Sequence, residues 1–178
     1  MKNNLDLKIM AIILGISLAT FLVIRFYVMN SFREKLIRQV PKSAVDTAFT
    51  VIESVAKEYR EKKLTESAAQ EQIKSIISNL RLDDGSYFWI HDLNLRMILH
   101  PIKPALNGTD LNNYKSPTGH LIFVEMNQAM AKENERAWYN YYWAKPNEAV
   151  DKEKTSYLRV YNPWGWVINQ LTDAGHRE

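Results

Sequence analysis

The segment RAWYNYYWAKP at residues 136–146 carries the densest chemistry in the sequence. In an extended chain successive side chains alternate faces, so Tyr139, Tyr141, Trp143 and Lys145 share one face. Trp138, Asn140, Tyr142 and Ala144 take the other, and only the first set ends in a cation. An aromatic wall with a few convergent polar groups is the make-up of a small-molecule pocket. Neighbouring segments add Trp89, His100, Lys154 and Tyr157, bringing a second ammonium, an imidazole and another phenol. Such donors suit a buried anion, at about 1.5–3 kcal/mol for each charge-assisted hydrogen bond. The expected ligand is a small organic carboxylate of two to four carbons, with Trp89, His100, Tyr141, Trp143, Lys145, Lys154 and Tyr157 as its contacts.

Each of these residues also has a plainer use. Trp89, Trp143, Trp164 and Trp166 are the large apolar bodies that a core consumes by default. His100, before Pro101, reads equally as a capped core histidine, and Lys145, beside Pro146, as a solvated strand end. Lys154 follows the acidic run at residues 148–153.

Other chemistries are poorly represented. There is no phosphate-binding glycine loop, GxSxG nucleophile turn, HExxH or calcium-loop pattern. His91, His100, His120 and His176 lie far apart without paired metal spacing, so no metal and no cofactor is expected. With no cysteine there is neither a disulfide framework nor a thiol nucleophile. His100 with Asp92 is the one pair that suggests acid–base work, a thin basis for a hydrolase-like enzyme, and the chain is expected not to be one. The net charge of +3 is spread among mixed signs rather than gathered on a stripe, which speaks against nucleic acid.

The elements that must position these residues follow from periodicity. Apolar residues recur in steps of three and four from Phe32 through Leu36, Val40, Ala44, Val45, Ala48, Phe49, Ile52, Val55 and Ala56 to Tyr59, one long amphipathic helix. Pro41 inside it is expected to kink or split it. A polar break at residues 61–64 precedes Thr65, a good N-cap, and a second helix reaches about Leu80 on the stripe Ala69, Ile73, Ile76, Ile77 and Leu80. From Ser86 the texture becomes aromatic and β-branched, with strands expected at 86–92, 96–101, 136–144, 154–161 and 164–169. Leu93 to Leu95 makes a hairpin, residues 102–117 a loop, and residues 120–132 a helix. The fold class is α+β, with one antiparallel sheet of about five strands.

Residues 9–24 contain no charge, and the apolar run resumes after Arg25 as far as Met29. About 20 helical residues cross a hydrocarbon core, so residues 9–29 suffice for a transmembrane helix. A cleaved signal peptide has a shorter apolar core and ends in a small-residue cleavage site, for which nothing here provides. The expected division is residues 1–29 for the cytoplasmic N-terminus and membrane helix, 30–170 for a folded domain, and 171–178 for a tail. Lys2 and Lys8 precede the span while Arg25, Arg33, Lys35 and Arg38 follow it, so the positive-inside rule alone does not favour export of the domain.

A set of strings in the strand region resembles the single Cache domain family (sCache type 2), sensor regions of methyl-accepting chemotaxis receptors and sensor kinases. They are Tyr87-Phe88-Trp89-Ile90 with Asp92, Met97 with His100-Pro101, and Pro104, Leu106, Asn107, Gly108, Asp110 and Leu111. Gly119, Phe123 and Met126 follow, then Tyr141-x-Trp143-x-Lys145-Pro146, Lys154-x-Ser156-Tyr157 and Trp164-Gly165-Trp166-Val167-Ile168. The resemblance covers about residues 30–168 and implies a PAS-like sheet packed on a long N-terminal helix, with a pocket for a small metabolite. It further implies an extracytoplasmic, periplasmic domain on the bacterial inner membrane, and a ligand sensor that signals through the long helix. That helix is expected to pair with its copy in a homodimer. The chain departs from the family where Asn169-Gln170-Leu171 stands in place of a glycine-containing strand. A second membrane helix and an output domain, also implied, lie outside the 178 residues, so the chain is expected to be a fragment or to use another output arrangement. An accessory membrane subunit with the same fold and no competent pocket is the alternative.

Overall fold

The computed structural model describes residues 2–144 and 150–174, with side chains from residue 4. It forms two compact units, residues 1–36 and 37–178. The first holds the N-terminal part of helix α1 (Lys2–Arg60), whose apolar side chains from Leu5 to Met29 are exposed. By length and composition this helix is able to cross a membrane.

In the second unit α1 is helical through Pro41, which does not split it. The proline removes one backbone hydrogen bond. The loss is outweighed by the stripe that follows, because Val45, Ala48, Phe49, Ile52, Val55 and Ala56 are all buried in one core cluster. Helix α2 (Glu66–Asn79) begins where the polar break ends, with the Thr65 side chain accepting from the Ala68 amide at 3.2 Å. Its Ala69, Ile73 and Ile77 complete that cluster.

The strands are β1 (Phe88–Asp92), β2 (Met97–Leu99), β3 (Arg136–Trp143), β4 (Lys152–Tyr161) and β5 (Trp166–Asp173). They form one antiparallel sheet in the order β2-β1-β5-β4-β3. Helices α1 and α2 cover one face, meeting Phe88, Ile90, Tyr157, Tyr161, Trp166 and Ile168. Helix α3 (Ile122–Lys132) and the segment before it cover the other, meeting Tyr87, Trp89, Tyr141, Trp143, Leu158 and Val167. Covered on both sides, β1 and β5 bury almost every residue, which is why they read as runs rather than as alternation.

Strand β5 reaches Asp173, four residues past the expected end at 169, and carries Asn169, Gln170 and Leu171 as paired strand residues. The polar pair Asn169-Gln170 reads as a strand's end, which hid the residues beyond 169. The Asn169 side-chain NH2 donates to the Val167 carbonyl at 2.8 Å and lies 3.2 Å from the His91 ring, while its buried Oδ1 meets no donor among the described residues. The loop at 102–117 contains a short 3-10 turn at Pro104–Leu106, and Asn107 holds its start by accepting from the His100 amide at 2.6 Å.

Candidate ligand-binding site

The register of the sheet gathers most of the expected residues on the α3 face. Tyr141 lies opposite Lys154, which lies opposite Asp173, and Trp89 lies opposite Asn169. Tyr87, Trp89, His100, Phe123, Tyr141 and Trp143 line a box whose free volume is about 10 Å³, the room of about one water. The ring of His100 stacks on Trp89 at 6.5 Å and lies 5.6 Å from Trp143, while Trp89 meets Tyr141 edge-on at 6.2 Å.

Tyr157 does not join this set. It is three residues from Lys154, an odd interval in a strand, so it points to the opposite face and packs against Trp138 at 4.9 Å. Grouping it with Lys154 is therefore corrected by parity. Lys145 lies outside the described residues. Trp164 and Trp166 pack against each other at 5.0 Å on the α1 side, as core residues. The suggested acid–base pair does not form, because Asp92 accepts from the Arg96 amide at 2.8 Å and His100 Nδ1 from the Lys103 amide at 2.9 Å.

The electrostatics of the box favour donors. Burial, with the Lys103 cation second, holds the His100 pKa down at about 4, so the imidazole is neutral at pH 7. Since Nδ1 accepts from a backbone amide, the ring proton sits on Nε2. Burial also raises the Tyr141 phenol well above its ordinary value, keeping it a hydroxyl that shares a 2.9 Å hydrogen bond with Ser156. Trp143 Nε1 donates to the Tyr87 hydroxyl at 3.0 Å. The Trp89 indole N–H is buried and meets no acceptor among the described residues. Lys154 is 0% exposed and its ammonium pairs with Asp173 at 2.5 Å.

Sequence reasoning missed three members of the site. Tyr87 and Phe123 line the box, and for Tyr87 the parity with Trp89 was the available signal. Lys103 places its ammonium 3.8 Å from the centre of the Trp143 ring. It sits in the loop at 102–117, where no periodicity points at a side chain. Burial lowers its pKa.

Residues 35–173 match the family described as single Cache domain 2. A curated relative, the methyl-accepting chemotaxis protein McpP of Pseudomonas putida, is 41% identical over 105 residues, 59% of this chain but 19% of the relative. The chain thus spans about a fifth of that protein's length. Among solved structures, a periplasmic sensor domain of a chemotaxis protein superposes with a TM-score of 0.72 at 30% identity, over 77% of this chain and 95% of the other. A Cache chemosensory domain studied for carboxylic acid recognition gives a TM-score of 0.73 at 33% identity, over 76% and 92%. With the sheet, its two helical faces and the matched residues in agreement, the chain belongs to the single Cache domain 2 family.

Proposed function

We propose that the chain is the extracytoplasmic sensing region of an inner-membrane chemoreceptor, binding a carboxylate of two to four carbons in the aromatic box and relaying occupancy through α1. The observation that carries this reading is the orphaned donor of Trp89 on the wall of an aromatic box. The buried Trp89 N–H lacks an acceptor among the described residues, and His100, Tyr141 and the buried Lys154 add an imidazole N–H, a hydroxyl and an ammonium. An anion in the box supplies the acceptor that the Trp89 N–H lacks, and the apolar walls suit a short alkyl tail. The related Cache domain known for carboxylic acid recognition supports the same ligand class. Lys145, on the expected parity of Tyr141 and Trp143, belongs to the proposed contacts, and Lys103 stands at the rim.

The box must expand to take such a ligand, because its present volume fits about one water. The loop at 102–117, which contributes His100's capping contacts and Lys103, is the part we assign to that movement. Residues 9–29 cross the membrane in this reading, and the α1 stripe at Phe32, Leu36 and Val40, exposed within the chain, pairs with a second copy. Cysteines engineered at those positions should crosslink in detergent, and a monomer at high concentration would remove the pairing.

The closed box favours one other reading, an accessory membrane subunit that keeps the fold without a working pocket. Thermal unfolding separates the two. A carboxylate at 100 times its Kd should stabilise the domain by about 2.7 kcal/mol, whereas the accessory subunit melts at the same temperature with every acid tested.

A further inference from the structure

We infer that Tyr141 is the partition that limits the length of the acid, standing between the box and a second, larger cavity beside the start of α3. The inference rests on the reading that the box holds a small carboxylate. The second cavity has a free volume of about 340 Å³, against about 10 Å³ for the box. Among the described residues Tyr141 alone lines both. Ile122 and Phe123, neighbours in the first turn of α3, line one each, Ile122 the larger space and Phe123 the box. The two spaces therefore meet at Tyr141 and this turn of the helix.

Tyr141 is held in that position from several sides. It is buried, stacks on Tyr139 at 6.2 Å and meets Trp89 edge-on. Its hydroxyl shares the buried 2.9 Å hydrogen bond with Ser156, which a swing of the ring would forfeit. An acid whose tail outgrows the box therefore meets this ring rather than open space. In a closed apolar site one methylene too many changes affinity about 10- to 200-fold, so acids longer than four carbons should be rejected steeply. The room to hold them lies behind the ring, and its lining is mixed. Ile122, Tyr139 and Tyr142 suit an alkyl tail, whereas Glu125 and Glu153 oppose a second carboxylate. The Tyr139 hydroxyl donates to Glu125 and holds its carboxyl below the ordinary range, so that it is an anion at pH 7. With the partition cut down, the site should accept a longer monocarboxylate but not the dicarboxylate of the same length.

The test uses the full chain in detergent and calorimetric titration with acetate, propionate, hexanoate and adipate. Wild type should bind hexanoate about 100-fold or more weakly than propionate. Tyr141→Leu and Tyr141→Ala should each raise the affinity for hexanoate relative to propionate about tenfold or more, while adipate gains less than about threefold. Tyr141→Phe, which keeps the ring and loses the hydroxyl, should keep the wild-type ratio. Wild type binding hexanoate as tightly as propionate overturns the partition while leaving the carboxylate reading in place. So does a folded Tyr141→Leu with the wild-type ratio, a Tyr141→Phe shifted as far as Tyr141→Leu, or an adipate gain equal to that of hexanoate. If wild type binds neither acetate nor propionate, the reading of the box fails and the partition fails with it.

Discussion

Replacing Trp89 by Phe separates a binding tryptophan from a packing one. The indole is 3% exposed, stacks on His100 and carries an N–H that meets no acceptor among the described residues. Two effects of the substitution on folding oppose each other. The smaller ring leaves a partial cavity at a cost of about 1–2 kcal/mol, and removing an unsatisfied buried donor returns about 1–3 kcal/mol. Unliganded stability should therefore fall by no more than about 1 kcal/mol and rise by no more than about 2 kcal/mol, unlike the loss of about 3–5 kcal/mol expected when a core tryptophan is cut to Ala. Binding has no such compensation. If the N–H donates to a carboxylate, the variant loses about 1.5–3 kcal/mol of charge-assisted hydrogen bond, an increase in Kd of about 10- to 150-fold. Chemical denaturation gives the first quantity and calorimetry with propionate the second. A folded Trp89→Phe whose Kd stays within about twofold of wild type would refute the reasoning and return Trp89 to the core.

Other consequences follow from the same packing. Ile52 is fully buried between α1 and the sheet, so Ile52→Ala should lower unfolding free energy by about 2–5 kcal/mol in urea titrations, with propionate affinity unchanged in the folded fraction. Burial holds both His91 and His100 at about 4, below the ordinary 6.5, so the unfolded chain takes up protons in this window that the folded chain refuses. Stability should fall as pH drops from about 6.5 towards 4, by up to about 3 kcal/mol for each histidine, and His91→Gln should flatten part of that slope. Thr65→Ala should cost about 1 kcal/mol through the lost cap on α2, read as a shift in Tm.

Much of this architecture was legible in the sequence, because local rules and tertiary burial agree there. Thr65 and the stripe Ala69, Ile73 and Ile77 locate α2 without reference to anything else. The alternation in β3 places Tyr141 and Trp143 together, and the structure keeps them on one face. What escaped depends on interactions that no local pattern encodes. Asn169 and Gln170 look like a strand's end, yet both are fully buried, with Asn169 bonded to His91 across the sheet. Pro41 looks like a break, but the buried stripe beyond it keeps the helix unbroken. Lys103 is brought to Trp143 by a turn at Pro104 and by the His100 side chain capping its amide, neither of which spacing reveals. Tyr157 was different in kind, since counting strand parity from Lys154 suffices to put it on the α1 face.

The central claim is that the box recognises the negative charge of a small acid. Calorimetric titration of the wild-type chain with acetate, propionate, pyruvate and succinate, beside the uncharged acetamide and propionamide, tests it most directly. The donor set built from Trp89, His100, Tyr141 and Lys154 predicts saturable binding of at least one acid and at least a tenfold preference for it over its amide. No binding by any acid, or an amide that binds as tightly as its acid, would contradict the account.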